Sequence, residues 1–147
     1  MNQNYHNIAK IARQTCGLTQ ERFAEMLDVS PEAVRQYEAM KIMPSDDVVV
    51  KMVELASMPV LGYWHILNKS RVAADLLPTV QHVPLAQAVV QLLCAVEEFK
   101  ANCPQLLSLA ADGQITEDER EAFESIVDKL DGIIAGALAV KMAKEDK

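Results

Sequence analysis

A chain of 147 residues has room for one ordinary domain, or for a headpiece of about 70 residues followed by a second module. Half of it is apolar but only 5% aromatic, and the apolar part is mainly Leu, Val, Ile, Ala and Met, which suits packed helices better than sheet. The net charge of −7 divides unevenly: seven Lys or Arg against eight Asp or Glu (−1) in residues 1–70, and seven against thirteen (−6) in residues 71–147. An acidic chain gains little from long-range attraction to phosphate, so any nucleic-acid binding must come from locally placed groups. There is no run of eighteen apolar residues, and the N-terminus has neither a basic n-region nor an apolar core, so no membrane span or secretory leader is predicted and a cytoplasmic protein is expected. Cys16, Cys94 and Cys103 are odd in number and lack Cys-x-x-Cys or His partners, which argues against a disulfide framework or a zinc site.

Along the chain, Tyr5, Ile8, Ala9, Ile11 and Ala12 recur at helical spacing between Asn4 and Cys16, and Gly17 supplies a stop. Thr19 caps a second helix carrying Phe23, Ala24, Met26 and Leu27, which ends near Asp28. Ser30 and Pro31 open a third, running to about Ala39, with Ala33, Val34 and Tyr37 inward. After the turn Lys41-Ile42-Met43-Pro44, Ser45 caps a fourth through Val49, Met52, Val53 and Leu55. Ser57 and Pro59 open a fifth carrying Leu61, Trp64 and Leu67. Pro78 and Pro84 mark a linker over residues 71–83, with one extra helical turn at 71–77.

From residue 84 a helical hairpin is predicted, completing an all-α chain. Leu85, Val89, Leu92, Val96 and Phe99 step by four, three, four and three, the seam of a helix packed lengthwise on another. Pro104 interrupts, a short helix through Leu106, Leu107 and Leu109 follows, and Ala111-Asp112-Gly113 turns the chain. Thr116 and Glu119 form a capping box for a long helix over roughly 116–143, striped with Phe123, Ile126, Val127, Leu130, Ile133, Ile134, Ala137 and Leu138.

The run Gly17-Leu18-Thr19-Gln20, with Phe23-Ala24, Leu27, Val29-Ser30 and Tyr37-Glu38 up to Pro44, resembles the lambda-repressor-like, or Cro-type, helix-turn-helix family. The resemblance covers roughly residues 4–68 and is specific over 17–44. It implies a five-helix DNA-binding domain over residues 1–70 and a third helix lying in the major groove. Gln20 would hydrogen-bond a phosphate from the start of the second helix. The groove-facing positions would be Pro31, Glu32, Arg35 and Gln36. Of these, Gln36 suits adenine, Arg35 suits guanine or a phosphate, and Glu32 suits the cytosine amine. Lys41 would add a backbone contact. Arg13 and Glu38 occupy positions that form a structural ion pair in this family. The chain departs from the pattern in three places: Asp28 stands for a turn glycine, Ala39-Met40 replaces an Arg-Gly pair, and Asp46 and Asp47 are acidic where the family is often basic or neutral. Few phosphate contacts and a shallow salt dependence follow.

Other signals weigh little. Asp112-Gly113-Gln114-Ile115 with Glu119 looks like half a calcium loop, but Ser108 and Ala110 stand where two carboxylates would be needed, so a turn and cap are expected and no metal. His6, His65 and His82 are scattered, and no nucleophile and base assemble, so neither an enzyme nor a cofactor is implied. His65 reads as a packed surface histidine, and Tyr63 and Trp64 as core. The hairpin at 84–143 has a surplus apolar face suited to homodimerisation, which would supply the two-fold symmetry that paired half-sites require. The whole arrangement looks like small regulators of bacterial genomes and prophages. The expected function is sequence-specific DNA binding to double-stranded DNA as a transcriptional repressor. The alternative is an antitoxin or adaptor whose C-terminal helices grip a protein partner.

Overall fold

The computed structural model describes residues 6–111 and 113–143. Tyr5, assigned to the first helical stripe, and Asp112, assigned to the last turn, lie outside the described residues. Among the described residues the chain is helical throughout, without strands, and divides into two compact units, Met1–Leu77 and Pro78–Lys147.

Among the described residues the first unit holds six helices: α1 (Ile8–Cys16), α2 (Gln20–Leu27), α3 (Pro31–Glu38), α4 (Asp46–Ala56), α5 (Val60–Lys69) and α6 (Arg71–Leu76). Local chemistry explains most boundaries. The Asn7 side chain accepts from the Lys10 amide, so α1 begins at Ile8 and not at the Asn4 expected from apolar spacing. Gly17 closes α1 in a left-handed conformation (φ 66°). Thr19 and Ser30 cap α2 and α3 through the amides of Arg22 and Ala33. Asp28 (φ 59°) and Met40 (φ 56°) hold the left-handed positions that end α2 and follow α3, where a glycine would carry no Cβ penalty.

Two expectations about caps are corrected. Ser45 occupies the N-cap position of α4 but its side chain makes no capping bond; Asp46 and Asp47 in the first turn supply the negative charge favoured there. Ser57 closes α4 in a left-handed conformation (φ 49°) and does not open α5.

The core of this unit gathers Ile8, Ala9, Ala12, Phe23, Ala24, Leu27, Val34, Val49, Met52, Leu61 and Trp64. Phe23, Ala24, Leu27, Val34, Met52 and Leu61 are completely buried. Met26, counted with the buried stripe of α2, instead faces solvent. Helix α6, capped by Ser70 through the Ala73 amide, packs on α5, so the unit extends to Leu77. His65, expected at the surface, is buried, and its Nε2 lies 2.9 Å from Asp46 Oδ1.

The second unit is built from α7 (Leu85–Lys100), α8 (Cys103–Leu109) and α9 (Glu117–Met142). Glu119 accepts from the Thr116 amide at 3.0 Å, completing the capping box at the start of α9. Leu92 meets Gly136 and Ala95 meets Gly132, so the residue numbers run in opposite directions and α7 and α9 are antiparallel. At Gly136 a Cβ would stand 3.0 Å from the Leu92 Cα. The absence of a side chain there lets the two backbones approach. Ala88, Ile126, Ala139 and Met142 are buried, while Leu85, Leu92, Val96 and Phe99 are half-buried.

Candidate nucleic-acid interface

Helices α2 and α3 are joined by Asp28, Val29 and Ser30. Their relative placement rests on small and apolar groups: Ala24 on α2 and Val34 on α3 are both fully buried, and α2 and α3 pack on each other. With Val34 inward, the helical period turns Pro31, Glu32 and Arg35 outward, and all three are exposed, while Gln36 is half-buried.

Three of these four residues are joined through Glu32. Glu32 Oε1 accepts from Gln36 Nε2 at 2.8 Å and Glu32 Oε2 from Arg35 Nε at 3.1 Å. Arg35 also lies 4.0 Å from Glu21 on α2. The bond from Gln36, followed by that from Arg35, holds the Glu32 carboxyl below its ordinary range, so it is an anion at neutral pH. One donor from each side chain suited to base edges is therefore engaged by a carboxylate on their own helix, while the Arg35 Nη groups and a second Gln36 amide hydrogen are not bonded to it. A duplex that needs Arg35 Nε or the bonded Gln36 hydrogen would have to take it from Glu32.

A second cluster lies behind this face. Glu38, at the last position of α3, accepts from Arg13 Nε at 2.5 Å, from Arg13 Nη2 at 3.2 Å and from Gln20 Nε2 at 2.9 Å. Arg13 Nη1 also donates to the Leu18 carbonyl at 3.0 Å, and Asn7 Nδ2 to the Glu38 carbonyl at 2.7 Å. The Glu38 side chain is only 9% exposed and that of Arg13 19%. Burial pushes the Glu38 carboxyl up, but the bonds from Arg13 and Gln20 outweigh it and leave it below the ordinary range. The bond to Glu38 raises the Arg13 guanidinium in turn. One carboxylate thus links α1, α2 and α3. Gln20 is placed with Arg13 and Glu38, apart from the Glu32 group.

The cations of this unit are mostly paired. Arg13, Arg22, Arg35, Lys51, Lys69 and Arg71 each lie within 4.0 Å of a carboxylate, whereas Lys10 and the exposed Lys41 have no such partner among the described residues. Lys51 also donates to the Leu27 carbonyl at 3.0 Å, capping the end of α2. Asp46 accepts from Lys69 at 2.6 Å as well as contacting His65, which ties the first turn of α4 to α5; the Lys69 bond leads in holding Asp46 below its usual range. His6 stacks on Trp64 with ring centroids 3.8 Å apart, and burial lowers its pKa.

Sequence reading missed Asn7, the bond of Lys51 to the Leu27 carbonyl and the Asp46–His65–Lys69 group. Asn7 carried a usable sign, an Asn just ahead of an apolar-periodic run. The other two depend on tertiary placement and carried none. Among the described residues no group of three His, Cys, Asp or Glu could hold a metal ion, and no helix is long and apolar enough to cross a membrane.

Comparison with protein-family models matches residues 10–56 to the Helix-turn-helix family, a family of DNA-binding regulators. No curated protein and no solved structure matches the chain. The matched span runs from the third residue of α1 to the end of α4 and contains Arg13, Gln20 and Glu38 as well as the exposed face of α3, but not Asn7. The first unit of this chain thus carries a helix-turn-helix domain of the XRE type, lambda repressor-like.

Proposed function

We propose that the chain is a sequence-specific transcriptional repressor that reads the major groove with helix 31–39 and binds its operator as a homodimer through residues 84–143. The observation that carries this reading is the outward face of α3: Glu32 and Arg35 are exposed, with Gln36 beside them, on a helix whose Val34 is buried against α2. Gln36 and Arg35 are the base-reading candidates, for adenine and guanine respectively, and Glu32 for cytosine. Pro31 brings the start of the helix close to the backbone. Gln20 has a second amide hydrogen beyond the one given to Glu38, and that hydrogen is the phosphate donor. Lys41, just past α3 and without a carboxylate partner among the described residues, adds a backbone contact.

Fluorescence anisotropy on upstream-promoter and random duplexes, across salt, tests the reading. One sequence should be preferred. Arg35→Ala or Gln36→Ala should each cost about 5- to 150-fold at that sequence, the range of a good base contact. The decline in affinity with salt should be shallow, because few cations are free to replace counterions. Absence of DNA binding at physiological salt by a folded chain would refute it.

A second reading, an adaptor that holds a protein partner, draws on the carboxylates of Glu21 and Glu32 flanking Arg35. It requires that self-association or partner capture persist where DNA binding is absent.

A further inference from the structure

Residues 85–96 of α7 contain no charged side chain, and neither do residues 132–140 of α9. Through the contacts of Leu92 with Gly136 and Ala95 with Gly132, these two uncharged stretches lie side by side. A helix of a soluble protein ordinarily turns its charged side to water. Over residues 85–96 the water-facing side of α7 offers Ala86, Val89, Val90, Leu93 and Cys94, broken by Gln87 and Gln91, with Glu97, Glu98 and Lys100 following at its end. Val90 is 59% exposed and Leu93 60%.

The exposed residues are ordered. Leu85, Leu92, Val96 and Phe99, on the side half-buried in the hairpin, define one seam. Ala86, Val90, Leu93 and Glu97 step by four, three and four and define a second, displaced by one residue and so turned by about 100° around the helix. A helix with two apolar seams has one for each of two neighbours. α9 covers the first.

We infer that a second copy of this chain covers the other, with α7 packed antiparallel on the partner's α7, so that Val90 faces Leu93 of the partner subunit and Leu93 faces the partner's Val90. This deepens the proposed dimerisation through residues 84–143 and rests on it. Charge chooses both the occupant and the direction. Glu97 and Glu98 lie in the last turn of α7 with Lys100, which donates to Glu97 at 2.6 Å, and residues 117–131 of α9 carry Glu117, Asp118, Glu119, Glu121, Glu124, Asp128 and Asp131 against only Arg120 and Lys129. This makes one end of the hairpin strongly acidic, while the other, where α9 ends, carries the exposed Lys141. A parallel pairing would set the two acidic ends side by side. An antiparallel pairing sends them to opposite poles, opposes the helix dipoles, and sets Glu97 against Ala86 of the partner subunit, whose small side chain leaves the carboxylate a way to water. An isologous two-fold contact of this kind closes on itself and builds no fibre.

Light scattering on the full chain tests the pairing. The wild type should weigh twice 16.3 kDa. Val90→Glu and Leu93→Lys should each weaken self-association on the order of 100-fold, by leaving an unpaired charge in the seam, and both chains should keep their helical circular dichroism because the positions are exposed. Gln87→Glu, on the same helix but off the seam, should leave the dimer intact. The double variant Val90→Glu/Leu93→Lys is decisive. In the antiparallel arrangement each introduced carboxylate meets an introduced ammonium of the other copy and the dimer returns. In a parallel one like charges meet and it stays apart.

A dimer that survives both single variants overturns this surface while leaving dimerisation standing. Single variants that dissociate without rescue overturn the antiparallel arrangement. A monomeric wild type, as when another protein or the first unit covers the seam, overturns both. Whether the chain binds promoter DNA decides the regulatory reading separately from any of these outcomes.

Discussion

Replacing Arg13 by methionine keeps most of the side chain's volume and removes the guanidinium from the Glu38 cluster. Breaking a buried ion pair by deleting one partner costs about 3–5 kcal/mol, because the remaining charge is stranded. Two features of this site lower that figure. Glu38 keeps its bond from Gln20 Nε2 at 2.9 Å, and Arg13 is 19% exposed, so water and salt already screen part of the attraction. The lost bond to the Leu18 carbonyl adds about 1 kcal/mol back. The expected cost is about 2–3 kcal/mol on these grounds. Glu38→Gln should cost less, and the double variant less than the sum, with a coupling above about 1 kcal/mol. The single tryptophan, Trp64, is buried in the first unit, so urea titration followed by its fluorescence reports this unit alone. Operator preference, measured on the folded fraction, should be unchanged. A loss below about 1 kcal/mol for Arg13→Met, or strict additivity in the double variant, would refute a clasp built on this pair.

Further outcomes are expected elsewhere in the chain. The Glu38 carboxyl is held low in the folded state, so its stabilising contribution is complete above the ordinary carboxylate range and fades as pH falls through the lower folded-state value; acid titration of Trp64 fluorescence should show that loss in the wild type and a smaller one in Glu38→Gln. Gly136→Ala should destabilise the second unit by about 1–3 kcal/mol through overpacking, because a Cβ would stand 3.0 Å from the Leu92 backbone. Gly132→Ala meets only ordinary contact at 3.8 Å and should stabilise by up to about 1 kcal/mol of helix propensity; thermal melts followed by circular dichroism compare the two. Met40→Gly should stabilise the first unit by about 0.5–1 kcal/mol, since the left-handed backbone penalises a Cβ; urea titration reads it. Glu32→Gln should raise affinity for random duplexes on the order of tenfold while narrowing the preference for the operator, because it removes an anion from the groove face and loosens its hold on Arg35 and Gln36; anisotropy on both duplexes measures it.

Much of the first unit was legible one residue at a time. Gly17, Thr19 and Ser30 act through their own backbone and side-chain chemistry within three residues, and each sits where its type predicts. Ser57 was misread because serine serves either end of a helix, and which end it takes depends on how the flanking helices pack; Ser45 sits at the end expected of it and lacks only the capping bond. His65 was misplaced for a related reason: its burial depends on α4 bringing Asp46 within reach, a contact spanning 19 residues that no local pattern encodes. Within the candidate site, the spacing of Glu32, Arg35 and Gln36 set them on one face of a helix. That they would bond to one another depends on rotamers, which spacing leaves open. In the second unit the 4-3-4-3 seam located most of the face of α7 turned toward α9, but Val89 within it is exposed and the fully buried Ala88 beside it was not read. The second seam is written one residue later in the same string, and periodicity alone does not rank two apolar faces of one helix.

The three-way grip on Glu38 bears on how a duplex would be accommodated. The carboxylate is held from α1 and α2 while belonging to α3, so tilting the reading helix alone would strip a mostly buried anion of its donors. The three helices should swing as a rigid body. Where the proposed operator departs from ideal geometry, the deformation then falls on the nucleic acid, whose bending cost varies with base-step flexibility. Sites would be ranked by the pliancy of base pairs that no side chain touches, as well as by those that Arg35 and Gln36 read.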